Sequence, residues 1–120
     1  MSAFSSSVDH VSPTTRLAEH GGVGPICFRR LLDGSGFQAP VDFIDYTIIP
    51  PNSVIGRHQH VGNEEVYFVI AGKPSVTVEN DTQRLCEGSV SVVRNGESHQ
   101  LVNDTNQDVI ILVVQVRCES

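Results

Sequence analysis

His58 and His60 stand two residues apart in Gly56-Arg57-His58-Gln59-His60. On a β-strand alternate side chains share a face, at a rise of about 3.3 Å per residue, so the two imidazoles project together as a bidentate grip for a cation. Glu65 follows the short turn Gly62-Asn63 and opens the apolar run Val66-Tyr67-Phe68-Val69-Ile70. That run reads as the returning strand of a hairpin, which would bring a carboxylate back beside the two imidazoles. Glu64 adjoins Glu65 and competes for the same role. Further along, an alternating strand meets the turn Asn95-Gly96, and His99 begins the next strand. Three imidazole nitrogens and one carboxylate oxygen suit a divalent transition metal such as Fe, Mn, Ni or Zn over Mg or Ca, and the donor set does not choose among them.

Both segments resemble the cupin superfamily. The first motif of that family, G(X)5HXH(X)3-4E(X)6G, is matched by His58, His60, Glu65 and Gly72, with Asn52 where the first glycine is expected. Asparagine also tolerates the left-handed turn conformation, so this departure is mild. The second motif, G(X)5PXG(X)2H(X)3N, falls on Gly88, Gly96, His99 and Asn103, with Arg94 in place of proline. That loss costs turn rigidity and removes no ligand. The spacing to Gly72 selects Glu65 as the carboxylate and leaves Glu64 as a solvated turn residue. The resemblance implies a small single-domain cupin, an all-β double-stranded β-helix or jelly-roll barrel, with His58, His60, Glu65 and His99 around one metal per chain.

The elements that must position these residues are short strands. Residues 26–32 form the first, closed by Asp33-Gly34-Ser35-Gly36; residues 41–49 form the next, stopped by the stiff corner Pro50-Pro51. More follow at 75–79, 83–86, 90–93, 99–102 and 109–116, with Asn80-Asp81-Thr82 as a hairpin loop. No sustained period near 3.6 residues calls for a helix. Eight to ten such strands argue for a double-sheet jelly roll.

Alternation also predicts what shares the pocket. If Glu65 points inward, so do Tyr67 and Val69; if His99 does, so do Leu101 and Asn103. Tyr67 is the candidate catalytic residue, a phenol placed to handle a proton, with a role as pocket wall the alternative. Asn103 reads as structural. The rest of the inward set reads as apolar, giving a dry chamber. Arg29 and Arg30 are adjacent on a strand and must face opposite ways, so at most one enters the barrel, where it would hold a substrate carboxylate or phosphate. The alternative is a surface arginine or one paired with Asp33. His10 and His20 read as ordinary polar residues.

At 120 residues the chain is one domain's worth. Residues 1–15, rich in serine with no apolar core of a signal peptide, read as a flexible tail before a single domain over 16–120. A net charge of −6 without blocks of lysine or arginine excludes a phosphate-binding face for nucleic acid. The longest apolar run, residues 109–114, is too short to cross a bilayer as a helix. Cys27, Cys86 and Cys118 are odd in number and form no C-x-x-C pair, which fits a reduced, cytoplasmic setting. Cys27 and Cys86 read as buried small hydrophobes and Cys118 as exposed.

Two functions from different classes follow. One is a metal-dependent enzyme acting on a small carbonyl- or hydroxyl-bearing metabolite, by Lewis-acid isomerisation or cyclisation or by non-haem dioxygenation. The other is a non-catalytic metal- or ligand-binding module. The expected partners are a small-molecule substrate and a second copy of the chain in a homodimer, with the outward residues Val66, Phe68 and Ile70 available either for that contact or for packing on the second sheet.

Overall fold

Runs of β-branched and aromatic residues, cut every few positions by Gly, Pro and Asn, can bury their apolar sides only by stacking sheet on sheet. The computed structural model, which describes residues 5–118, shows this outcome. Its strands are β1 (Thr14–Leu17), β2 (Pro25–Asp33), β3 (Val41–Ile49), β4 (Val54–Gln59), β5 (Asn63–Ala71), β6 (Ser75–Val78), β7 (Asp81–Arg84), β8 (Val90–Val93), β9 (Ser98–Val102) and β10 (Val109–Arg117). A six-stranded sheet, β1-β2-β3-β10-β5-β8, faces a four-stranded sheet, β4-β9-β6-β7, and the strand pairs are antiparallel. This is the jelly roll that the strand count implies. The remaining regular structure among the described residues is three single 3-10 turns.

Within the stretch read as a tail, Val8–His10 forms one of those turns and Thr14 opens β1; residues 1–4 lie outside the described residues. The strand β1 was not expected from sequence, because its four residues, Thr-Thr-Arg-Leu, are all exposed and carry no alternating pattern. The hairpin turn between β6 and β7 is tighter than expected: Asp81 and Thr82 already pair with Val78 and Thr77.

One expectation of pairing is overturned. The strands β4 and β5 do not form a hairpin: β4 pairs with β9 in the smaller sheet, whereas β5 runs between β10 and β8 in the larger. After His60 the chain crosses from one sheet to the other, pinned where the His60 amide donates to the Glu97 carbonyl and the His60 carbonyl accepts from the Gly96 amide. The nine residues of β5 match the nine of β10, a longer ladder than six-residue β4 offers.

Each inward strand face is polar at one end and apolar at the other. Phe43, Asp45 and Thr47 precede Ile49 on β3; Glu65 and Tyr67 precede Val69 on β5; Val109, Ile111 and Val113 precede Gln115 on β10. The register aligns these halves, with Glu65 beside Gln115 beside Phe43, and Tyr67 beside Val113 beside Asp45 beside Arg30. The apolar halves make the core, where Ile49, Val69, Leu101, Val109 and Ile111 are fully buried. Val66, Phe68 and Ile70 alternate out of this core and face away from the second sheet. The polar halves surround a pocket at the opposite end of the barrel.

Asn103 closes the apolar end. It is fully buried, donates from Nδ2 to the carbonyls of Ile49 and Gln107, and accepts at Oδ1 from the amide and hydroxyl of Thr105. Asn52, in the place of the first motif glycine, takes the left-handed conformation at φ 67°. Among the cysteines, Cys86 and Cys118 are exposed and Cys27 is half-buried, so the reading of Cys86 as a buried hydrophobe is corrected. Cys86 follows the end of β7 in a loop, where its amide is held by the Ser89 hydroxyl.

The 3-10 turn Glu19–Gly21 lies across β4 through a contact of two glycines. A Cβ on Gly56 would stand 2.2 Å from the His20 carbonyl oxygen, and one on Gly22 would stand 1.9 Å from that of Val54. Both obstacles are backbone, so neither can swing aside. Gly56→Ala is therefore expected to destabilise the fold by about 2 kcal/mol or more, in the manner of an overpacked core. Thermal unfolding would read this as a fall in Tm of roughly 5–10 °C, and an unchanged Tm would contradict the close packing.

Candidate metal centre

The pocket draws its polar groups from both sheets. His58, on β4, is paired in register with His99 on β9, so two imidazoles come from neighbouring strands of the small sheet. His60 lies just past the end of β4, and Glu65 reaches across from β5 in the facing sheet. One ligand atom of each of these four residues lies within 4.8 Å of all the others. The structure thus brings together the whole set that the sequence singled out, although by a crossing between sheets.

Hydrogen bonds fix which nitrogens face inward. His58 Nδ1 donates to the Gly56 carbonyl at 2.8 Å, and His60 Nδ1 to the Asn63 side-chain oxygen at 2.5 Å. Both rings therefore present a bare Nε2 to the pocket. His99 Nε2 stands 3.1 Å from each of these nitrogens and 3.4 Å from Glu65 Oε1, which in turn is 3.5 Å from His60 Nε2. Ligands at about 2.1 Å from a shared ion lie roughly 3.0 Å apart at right angles and 3.4 Å apart in a tetrahedron. The observed spacings fit such an ion, and outer partners that orient the ligating imidazoles are the usual support of one.

The titration of the four groups reflects the same crowding. Burial pushes His58 down to about 4, reinforced by the neighbouring imidazoles and opposed by the Gly56 hydrogen bond. It is neutral at pH 7 and free to ligate. His60 is raised, chiefly by the Glu65 carboxylate that it faces. For Glu65, burial alone would raise the carboxyl, but the facing imidazoles of His60 and His99 outweigh it and hold the group at about 2. It is an anion at neutral pH. The Tyr67 phenol, raised well above 10 by burial and by the Glu65 charge, keeps its proton.

Tyr67 lies flat against His99, with ring centroids 4.7 Å apart, and its hydroxyl is 3.3 Å from His99 Nε2. Glu64 is exposed and accepts from the Asn95 amide, the solvated role expected of it. Arg94 replaces the missing proline by another device: its amide and guanidinium both bond the Glu97 carboxylate, which stiffens the turn leading to His99.

His20 was not foreseen as a residue of the pocket. His20 stacks on His58 with centroids 3.7 Å apart and planes 12° from parallel, carried there by the turn that the two glycines admit. Its left-handed backbone, φ 52°, is a signal visible only in three dimensions. Of the adjacent arginines Arg30 turns inward, while Arg29 donates to the Val11 carbonyl. The partner of Arg30 is not Asp33 but the buried Asp45, joined by two hydrogen bonds of 2.9 Å. Asp45 is its cross-strand neighbour, a relation the linear sequence does not display.

These residues correct the expectation of a dry apolar chamber. Arg16, Arg30, Glu19, Asp45 and Glu65 all line a cavity of about 350 Å³. Two arginines against three carboxylates leave it one negative charge, which a divalent cation would turn to one positive.

Comparison with known proteins agrees with this geometry. The family model described as "Cupin domain" matches residues 45–115, and the chain belongs to that family. An oxalate-binding protein of Thermotoga maritima is 28% identical over 94 residues, 78% of each chain. Among solved structures, a predicted oxalate decarboxylase from Thermotoga maritima superposes with a TM-score of 0.91 at 24% identity, covering 94% of this chain and 98% of its own. KdgF from Halomonas sp. gives 0.71 at 18% identity, covering 99% and 97%.

His58→Ala and His99→Ala are each expected to lower the metal content of protein purified without chelators or added metal by tenfold or more, on the order of the loss from removing one of four ligands. Elemental analysis checks this, and wild-type occupancy in both variants would refute the ligand assignment.

Proposed function

We propose that the chain is a metal-dependent cupin that chelates a small oxygen-rich metabolite, one bearing a carbonyl or hydroxyl group beside a carboxylate, and acts on it. The convergence of three imidazoles and a carboxylate in a pocket that also holds arginines carries this reading. His58, His60, Glu65 and His99 would hold a divalent metal, which would supply Lewis acidity to a chelated oxygen, the basis of isomerisation or cyclisation, and iron would extend this to dioxygenation. Oxalate is the simplest member of the ligand class, and the relative named for binding oxalate supports testing it first.

The chain's own residues have definable parts. Tyr67, which holds its proton, is placed to donate a hydrogen bond to an oxygen of the ligand, so it serves as a donor and not as a base. Asn63 holds His60 in the tautomer that leaves Nε2 bare, and Gly56 does the same for His58. The second reading, a binding module without turnover, is favoured by the same relative, whose name states binding alone.

In titration calorimetry the metal-loaded protein is expected to bind oxalate, and Tyr67→Phe to weaken that binding about fivefold to tenfold, the worth of one hydrogen bond, with metal content unchanged. No binding of oxalate or of 2-hydroxy acids to loaded protein would overturn the proposal. Product detected by NMR under argon favours isomerisation or cyclisation, product under air alone favours dioxygenation, and binding with no product under either gas supports the module.

The proposal extends to a homodimer through the outer face of the larger sheet. Ile44, Ile48, Val66, Phe68, Leu112 and Val92 share that face, with Phe68 and Val92 exposed by 40% and 46%. Its four nine-residue strands present roughly 19 by 30 Å, and the flanking β1 and β8 bring it near the ~800 Å² per partner of a standard interface. Light scattering is expected to give twice the 13.0 kDa chain mass, and a monomer at micromolar concentration would refute this.

A further inference from the structure

Arg30 is built into the pocket more firmly than a surface arginine. Its Nε and Nη2 are both taken by the buried carboxylate of Asp45, and its guanidinium lies 4.3 Å from the centre of the Phe43 ring. On the far side of Arg30, the Phe28 ring is 5.6 Å from its guanidinium and 4.7 Å from that of Arg16. Two cations and two rings thus alternate across the inner faces of β1, β2 and β3. Asp45 takes two of the five N–H donors of Arg30 and leaves three. The side chain is 44% exposed, and it lines the cavity that holds the four candidate ligands.

The register sets the span. Phe43 lies in the same cross-strand row as Glu65, with only Gln115 of β10 between them. Two strand spacings put their backbones roughly 10 Å apart, and both side chains rise from the same inner face. A cavity of about 350 Å³ sits at the small end of metabolite sites, yet it is far larger than two carboxylates joined directly would fill. Val113 and Ile26 give the intervening wall an apolar surface.

We propose that Arg30 is the second anchor of the substrate, so that the ligand is a 2-hydroxy or 2-oxo acid with a further carboxylate some three to four carbons from its chelating end. This rests on the metal-chelation reading above and adds the far end of the molecule to it. Asp45 holds the guanidinium in place and offsets part of its charge, so recognition comes from directed N–H bonds to a planar carboxylate, the geometry that arginine supplies and lysine does not.

The test compares 2-hydroxyglutarate with 2-hydroxypentanoate, which share a chelating end and chain length and differ in the distal carboxylate. Titration calorimetry of metal-loaded wild type is expected to show the diacid binding about tenfold tighter or more, the worth of a charge-assisted pair. In Arg30→Gln that preference disappears, the diacid falling to the affinity of 2-hydroxypentanoate. Because Arg30→Gln strands a buried Asp45, the double variant Arg30→Gln/Asp45→Asn provides the same comparison with no stranded Asp45 charge, and it is expected to show the same loss.

Equal affinity for the two acids in wild type, or a preference that survives in both variants, would overturn the assignment while leaving metal chelation standing. Failure of oxalate and of both hydroxy acids to bind would overturn the chelation reading and this one with it.

Discussion

The structure depends on bringing three electron-rich ring nitrogens and a carboxylate oxygen to within 4.8 Å of one another inside a barrel. Like lone pairs at this distance repel, and a buried carboxylate is costly unless opposite charge or hydrogen bonds compensate it. Both the fold and the chemistry follow from how the chain meets that cost. Fixed Nδ1 partners prevent the His58 and His60 rings from turning away, and a divalent cation at the point of convergence would satisfy all four groups together.

The barrel accommodates this strain by dividing its labour along the strands. At one end the inward residues are aliphatic and pack to full burial, and Asn103 ties the loop after β9 to the end of β3. At the other end the same strands carry the charged and aromatic residues. The stable half holds the register, and the register holds the ligands: Ile55 stands against Leu101, and an extra residue in β4 before His58, a β-bulge, brings His58 opposite His99. A slip of one residue would turn every ligand to the wrong face.

The arginine side of the pocket has its own construction, separate from the four candidate ligands. Arg30 and Asp45 are neighbours across β2 and β3, and the turn carrying Glu19 and His20 closes over β4 because two glycines allow the backbones to touch. Ala18 and His20 both adopt left-handed conformations in that turn. Such conformations persist where the surroundings impose them, and they collect at functional sites. Here the turn lies against β4 at Gly22 and Gly56, and His20 stacks on His58.

By itself the sequence determined the strand-rich class, the two motif segments, the inward sets Glu65, Tyr67, Val69 and His99, Leu101, Asn103, and the four residues that converge. The strand class and the inward sets follow from period-two alternation and local turn chemistry, which are properties of neighbouring residues, whereas Glu65 was singled out over Glu64 by the motif spacing to Gly72. Tertiary structure alone decided that β4 and β5 part into different sheets, that Arg30 meets Asp45 and not Asp33, that His20 joins the site, and that the pocket is polar. Each of those is a contact between segments distant along the chain or a choice among strand partners of similar local quality. Such choices are settled by the length of the competing ladders and by the burial they allow, and no short window of residues contains that information.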